Sequence, residues 1–278
     1  MSVPAPAPRS RFAAAIERSD GDLDLAEAAL LVAAEEYPQL AVEPYLRRID
    51  LLAERARDRL ANENAPLLVL HELSRVLFEE EGFRGNAQAY YDPRNSFLND
   101  VLDRRLGVPL TLAIVLLEVG WRLGLPLEGV NFPGHFLVRY AGEAVRVLID
   151  PFQKGELRFE DQAQDLLDRV YGGEVRLQPA YLRPASKADM LVRLLSNLKG
   201  IYLNARDDAR ALRAVERIIL VQPSALEEVR DRGMLLARTG RGVEALIDLE
   251  RYLDLAPGAP DATRVRMLID ELAKEGPS

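Results

Sequence analysis

RRLGVPLTLAIVLLEVGWRLGLPLEGVNFPGHFLVRY, residues 104–140, together with VLIDPF, residues 147–152, decides the fold. Residues 109–123 are apolar nearly all round, and a helix of that kind is enclosed by protein rather than laid on a surface. After Gly124 the character changes. Residues 127–130, 136–140 and 145–149 are short β-prone runs, separated by the turn residues Pro133-Gly134 and Ala141-Gly142-Glu143. The pattern predicts an antiparallel sheet packed on the enclosed helix, and so an α+β class for this part of the chain.

Upstream, the first hundred residues read as helices. One runs from Asp22 to about Glu36, after the Asp20-Gly21 turn. Pro44 sits where a first helical turn tolerates it, and Tyr45, Ile49, Leu52, Ala53, Ala56 and Leu60 follow at helical spacing. Asn64 and Pro66 open the next helix, whose apolar face carries Leu70, Leu73, Val76 and Leu77. GFRGNAQAYYDPRNSFLND, residues 82–100, then breaks the periodicity and reads as a structured loop entering a short helix.

Downstream, residues 159–170 read as helical and 171–186 as a linker. Beyond them the chain repeats itself. A shift of 34 residues places Ala211 on Ala245, Leu212 on Leu246, Glu216 on Glu250, Arg217 on Arg251 and Pro223 on Pro257. That period is the tetratricopeptide one. Leu195, Leu198, Tyr202, Val215 and Ile218 fill the expected apolar positions of the first repeat, and Gly233, Leu236, Leu249 and Tyr252 those of the second. Small Ala and Gly residues let paired helices approach, the prolines end each second helix, and residues 261–274 read as a capping helix.

Composition bounds the functions available. At 278 residues the chain suits about two units of roughly 150 residues each. A net charge of −8 argues against a nucleic-acid partner, which needs clustered Lys and Arg. No apolar run approaches the length of about 20 residues that spans a bilayer, so no membrane partner is expected. The proline-rich start is not read as a secretory signal, and residues 1–8 are expected to form a disordered tail. The chain has no cysteine, which removes disulfides, thiolate metal sites and thiol nucleophiles together and fits a cytoplasmic protein. Two histidines, His71 and His135, offer no metal-ligand spacing, His71 reads as a surface residue of its helix, and no cofactor is expected.

The quoted segment, with the loop AYYDPRNSFLNDVLDRRLGVP before it, resembles the transglutaminase-like superfamily. It is more closely similar to the bacterial SirB family, in which such a core precedes tetratricopeptide repeats. The resemblance covers about residues 15–260. It implies a papain-like core with a thiolate at the start of the buried helix, a His on one strand and an Asp on the next. In such enzymes the helix N-terminus lowers the thiol pKa, the His relays its proton and the Asp orients the imidazole. The resemblance puts His135 and Asp150 at the last two positions. The family pattern G-x-C-x-x-x-A runs here as Gly107, Val108, Pro109, Leu110, Thr111, Leu112, Ala113, so the nucleophile position holds Pro109. The triad is reduced to a remnant, and cysteine-based acyl transfer is excluded.

Two hydroxyls near the remnant, Thr111 and Ser96, have a pKa far above neutrality and need a placed base to act. The loop residues Asp92, Arg94, Asn95, Ser96 and Asn99 allow two readings. In one, Asp92 accepts hydrogen bonds from Arg94 and the local backbone while Asn95 or Ser96 caps the helix that begins near Phe97. In the other, the loop lines a cleft over His135. Arg104 and Arg105 read as a solvated helix face, with anion binding as the alternative.

These readings divide the chain into a tail (1–8), a transglutaminase-like domain with N-terminal helices (9–178) and a repeat module with its capping helix (179–278). The expected function is that of a non-catalytic, protein-binding or regulatory scaffold holding a protein or peptide on the repeats. The alternative is a hydrolase or acyl-transfer enzyme of the same fold, using water or a non-cysteine nucleophile with His135 as base and Asp150 as orienter.

Overall fold

The computed structural model describes residues 7–60, 63–143 and 145–275. Its first unit, Met1–Met190, opens with four helices, α1 (Pro8–Ile16), α2 (Leu25–Ala34), α3 (Val42–Leu60) and α4 (Pro66–Ser74). Of the tail expected over residues 1–8, residues 1–6 lie outside the described residues, while Ala7 is the N-cap of α1 and Pro8 its first residue. Proline is accepted there because a first-turn N–H has no intrahelical partner to lose. Asp24 starts α2 by accepting the Glu27 N–H on Oδ1 at 2.8 Å, a side-chain cap. The face predicted for α4 is buried at Leu70, Leu73, Val76 and Leu77, although the helix passes at Arg75 into a π-helical turn, Arg75–Glu80.

The loop that follows is bracketed by a short parallel pair, β1 (Arg84–Gly85) with β2 (Leu106–Gly107), and contains α5 (Leu98–Arg104). Then comes α6 (Pro109–Arg122), the enclosed helix that the sequence predicts: every residue from Pro109 to Gly120 is buried. It packs against α2, α3 and α5 and against two strands of the sheet. Gly120 lets the sheet lie close, since a Cβ there would fall 2.2 Å from Leu127 Cδ1. Each leucine taken fully from water along α6 contributes about 1.5–3 kcal/mol. Its one buried acid, Glu118, accepts the Ala26 N–H at 3.0 Å and pairs with Arg122.

The sheet is β3 (Leu127–Val130), β4 (Leu137–Ala141), β5 (Arg146–Asp150), β6 (Glu156–Phe159) and β7 (Pro184–Ala185) in the spatial order β6-β5-β4-β3-β7, antiparallel at every junction. The three expected strands are present within one residue at each end. Two further strands lie where the sequence reading has none. β6 alternates polar and apolar residues but is only four residues long and buries Arg158 while exposing Phe159, which ends it rather than opening a helix. α7 (Ala163–Tyr171) begins four residues later than Phe159. β7 lies within the expected linker and pairs with β3, so residues 184–185 belong to this unit's sheet although the sequence reading divides the chain after residue 178.

In the second unit, Leu191–Ser278, the last turns of α8 (Lys187–Asn204) precede α9 (Asp208–Val221), α10 (Leu226–Arg238), α11 (Gly242–Leu255) and α12 (Ala262–Glu275). α10 packs on both α9 and α11, as helices of successive repeats do. Ala211 and Ala245 are fully buried, and a Cβ on Gly233 would lie 2.8 Å from Leu249 Cδ2. Pro223 and Pro257 each stand two residues beyond a helix end, at Val221 and Leu255. α12 closes the stack. Val265 packs on Leu249 and Tyr252, and the Tyr252 hydroxyl donates to Asp261 Oδ1 at 2.7 Å.

Candidate functional site

Asp150 ends β5, where the following Pro151 forces a turn. Its Oδ1 accepts the backbone N–H of Phe152 at 3.0 Å and of Gln153 at 3.1 Å, and lies 2.9 Å from His135 Nε2. The carboxylate is only 2% exposed. With Oδ1 already accepting two N–H groups, the proton shared with the imidazole sits on Nε2, because a carboxylate has none to give. That leaves Nδ1 as the acceptor nitrogen of the neutral ring. It has no hydrogen-bond partner among the described residues.

His135 reaches this position from the Pro133-Gly134 turn, two residues before β4, not from the strand itself. The turn is tight: the His135 N–H donates to Phe132 O at 3.0 Å, and Gly134 adopts φ +68°. A side chain at Gly134 would meet Val170, with Cγ1 2.8 Å from the added Cβ. His135 and Asp150 are therefore paired, His135 in the turn before β4 and Asp150 at the end of the neighbouring β5.

Pro109 lies at the mouth of α6 and lines the same cleft as His135 and Asp150, a cavity of about 270 Å³. Val108 precedes it in extended conformation, and the Thr111 hydroxyl accepts the Val108 N–H at 3.1 Å while donating to Asn95 O at 2.7 Å. Gly107 makes room for that hydroxyl, since a Cβ there would stand 2.7 Å from Thr111 Oγ1.

The remaining cleft wall is aromatic and apolar. Phe152 sits over the bare Gly85 backbone, with ring atoms 2.5 Å from where a Cβ would be. Its ring meets His135 edge-on at 6.1 Å and Tyr90 at 6.0 Å between centroids. Leu166 and Val170 of α7 face them, with Arg169 at the rim. Tyr90 is held from behind by Asn95, whose Nδ2 donates to Ala89 O at 2.7 Å and Tyr90 O at 3.2 Å, and whose Oδ1 accepts from Asn86 at 3.0 Å.

The loop residues singled out by polarity stand elsewhere. Asn95, Ser96 and Thr111 are buried behind the wall, and none of them lines the cleft. Asp92 grips Arg94 through the backbone N–H at 3.0 Å and the guanidinium at 2.8 Å, and the Arg94 bonds hold its carboxyl below the usual range. None of Asp92, Arg94, Asn95, Ser96 and Thr111 lines the cleft, and the loop follows the reading in which Asp92 accepts from Arg94 and the local backbone. They shape the loop, and polarity alone does not say which way a side chain points. Ser96 caps nothing: its buried Oγ has no hydrogen-bond partner among the described residues. Nor are Arg104 and Arg105 a solvated face. Arg105 pairs with Glu81 at 2.9 Å and stacks on Phe83, and Arg104 faces Asp92 at 3.5 Å. His71 is exposed on α4, as the sequence reading has it. Among the described residues no group of three His, Cys, Asp or Glu is arranged to hold a metal ion.

Tyr90, Phe152 and Arg169 were missed. Tyr90 and Phe152 lie inside the quoted motifs, where aromatic residues amid polar loop residues were a usable signal. Arg169 gives none, because only the tertiary fold brings α7 to the cleft.

The sequence pattern of the transglutaminase-like superfamily matches residues 43–196, and that of a tetratricopeptide repeat matches residues 198–270. A UPF0162 protein of Xylella fastidiosa is 38% identical over 259 residues, 92% of both chains. One of Pseudomonas aeruginosa is 34% identical over 253 residues, 90% of this chain and 91% of its own. Protein SirB1 of Salmonella typhimurium is 28% identical over 239 residues, 86% and 87% of the two chains. No solved structure matches the chain. The enclosed helix, the paired His135 and Asp150 and the trailing repeats thus have one common explanation: the chain belongs to the transglutaminase-like superfamily, alongside the UPF0162 and SirB1 proteins.

Proposed function

We propose that this protein is a non-catalytic member of its superfamily, a protein-binding or regulatory scaffold. The observation that carries the reading is Pro109, which lines one cleft with His135 and Asp150. Acyl transfer in this fold begins when the imidazole takes a thiol proton and sulfur attacks a carbonyl carbon. A proline ring has neither a proton to yield nor a lone pair to attack with. His135 Nδ1 therefore faces a groove in which a chain can lie without being cut. The second unit adds a further surface, since tetratricopeptide repeats generally mediate contacts between proteins. A cytoplasmic location forms part of this proposal.

One observation favours a second reading. The acceptor nitrogen of His135 is unpaired in a cleft, as a general base for water or a substrate hydroxyl would be. A panel of fluorogenic amides, esters and isopeptides, assayed with the full chain and with His135→Ala, separates the two. The scaffold reading expects no turnover that the substitution removes. Turnover lost with the imidazole would establish the hydrolase instead.

A further inference from the structure

The cleft carries chemistry on three sides, and the combination is narrow. On one side stands Arg169, an exposed residue of α7 whose guanidinium makes no ion pair among the described residues. On the second is His135, whose Nδ1 accepts but does not donate in the neutral ring. The rest of the lining is mostly apolar, with Tyr90 and Phe152 from the loops, Leu166 and Val170 from α7, and Pro109, and Asp150 and Gln153 are its other polar side chains. At about 270 Å³ the space is smaller than the roughly 300–1,000 Å³ of sites for drug-sized ligands, so it suits one residue or two rather than a folded segment.

We infer that the cleft captures the C-terminus of a polypeptide whose last residue is apolar. This inference rests on the reading of the cleft as a binding groove and names what the groove takes. A terminal residue carries a carboxylate, an apolar side chain and an amide N–H on a single Cα. The carboxylate matches the planar fork of Arg169, which makes two parallel N–H···O bonds to such a group. The amide N–H matches His135 Nδ1, and the side chain fills the wall between Tyr90 and Phe152. An internal Asp or Glu satisfies the guanidinium only by spending its side chain on it, and leaves the apolar wall empty. A phosphate dianion is disfavoured because the cleft offers one guanidinium for its two negative charges, whereas a carboxylate carries one.

The test uses the full chain and three fluorescein-labelled peptides of equal length. One ends in a free Leu carboxylate, one has the same sequence amidated, and one is amidated with Glu placed before the Leu. Affinity is read by anisotropy and the site of binding by shifts of the His135 ring signals. The free acid should bind, and amidation should weaken it by about tenfold or more, the scale of one charge-assisted bidentate contact. Arg169→Gln should lower the free acid to the level of the amide and leave the amide unchanged, and Arg169→Lys should fall between. Equal binding of acid and amide, with no effect of Arg169→Gln, would overturn the carboxylate claim while leaving the groove standing. Binding of the Glu peptide as tight as that of the free acid would overturn the C-terminal source. If no peptide moves the His135 signals, the groove reading falls as well.

Discussion

Replacing Pro109 by Cys would put a thiol at the first position of α6 in a chain with no other cysteine, so any thiol reagent then reports on one atom. The fold should tolerate it. The cap made by Thr111 and Val108 does not involve the proline ring, and loss of the ring's restraint on the unfolded chain costs about 0.4–1 kcal/mol. The helix N-terminus favours a thiolate by about 0.3–1 kcal/mol, well under one pKa unit from an ordinary value of about 8.5. The imidazole in the same cleft adds an ion-pair partner, which brings the thiol to about 7 or below, a total of about 2 kcal/mol. At pH 7 the thiolate fraction then rises from about 3% to about 50%. Intrinsic nucleophilicity falls as the pKa falls, and cancels about fivefold of the gain. The alkylation rate at one pH is therefore a blunt readout, and the midpoint of its pH profile is the sharp one. Iodoacetamide alkylation followed by intact mass should give a midpoint near 7 for Pro109→Cys. It should return to about 8 when His135→Ala is added, and stand at about 8.5 for the exposed control Met267→Cys. A midpoint equal to the control's and indifferent to His135 would refute the placement of Pro109 at the nucleophile position.

Three further outcomes can be checked by denaturation. Asp150→Ala leaves two backbone N–H groups and His135 Nε2 without their acceptor and should cost about 3 kcal/mol in urea melts, whereas His135→Ala removes one hydrogen bond at a partly exposed ring and should cost about 1 kcal/mol; the reverse order would mean that the imidazole, not the turn, is what Asp150 supports. Burial raises the Glu118 carboxyl above its ordinary value, against the opposing bond from Arg122, so its contribution to stability is present below about pH 4.5 and is lost as pH rises through the folded-state value. Glu118→Gln should accordingly gain on the parent as pH rises across that window, and a pH-independent difference would contradict it. Gly233→Val drives a branched side chain into Leu249 and should destabilise the repeat unit by about 1–3 kcal/mol, seen as a lower midpoint in its thermal transition.

The enclosed helix and three strands were legible because their signals are local. Twelve buried residues in a row leave no polar face to misread, and turns at Gly134 and Gly142 punctuate the strands. The repeats were legible because Gly233, Ala211 and Ala245 recur where helices must touch. β7 was not, since two residues paired through a proline-bearing edge carry no periodicity of their own. At the site, His135 and Asp150 were found through the order of motifs. Of the two readings open for the loop between residues 86 and 99, the one in which its polar atoms hold the loop together fits, because those atoms turn inward. Asn95 is wholly buried and spends its amide on holding Tyr90, the residue that does line the cleft.

The two paired residues, His135 and Asp150, do not stand on the same footing. Asp150 has a structural duty independent of any reaction, because its Oδ1 closes the turn that carries β5 into β6. Whatever the cleft does, the turn needs that carboxylate. His135 has no equivalent duty: its ring makes one hydrogen bond, to Asp150, and meets Phe152 edge-on, while its second nitrogen is left facing the cleft. Nδ1 is not among the buried unpaired atoms of the described residues, so solvent reaches it in the cleft. On the proposed reading an entering peptide N–H takes that solvent's place, and the bond to Asp150 is what holds the ring in the orientation that receives it.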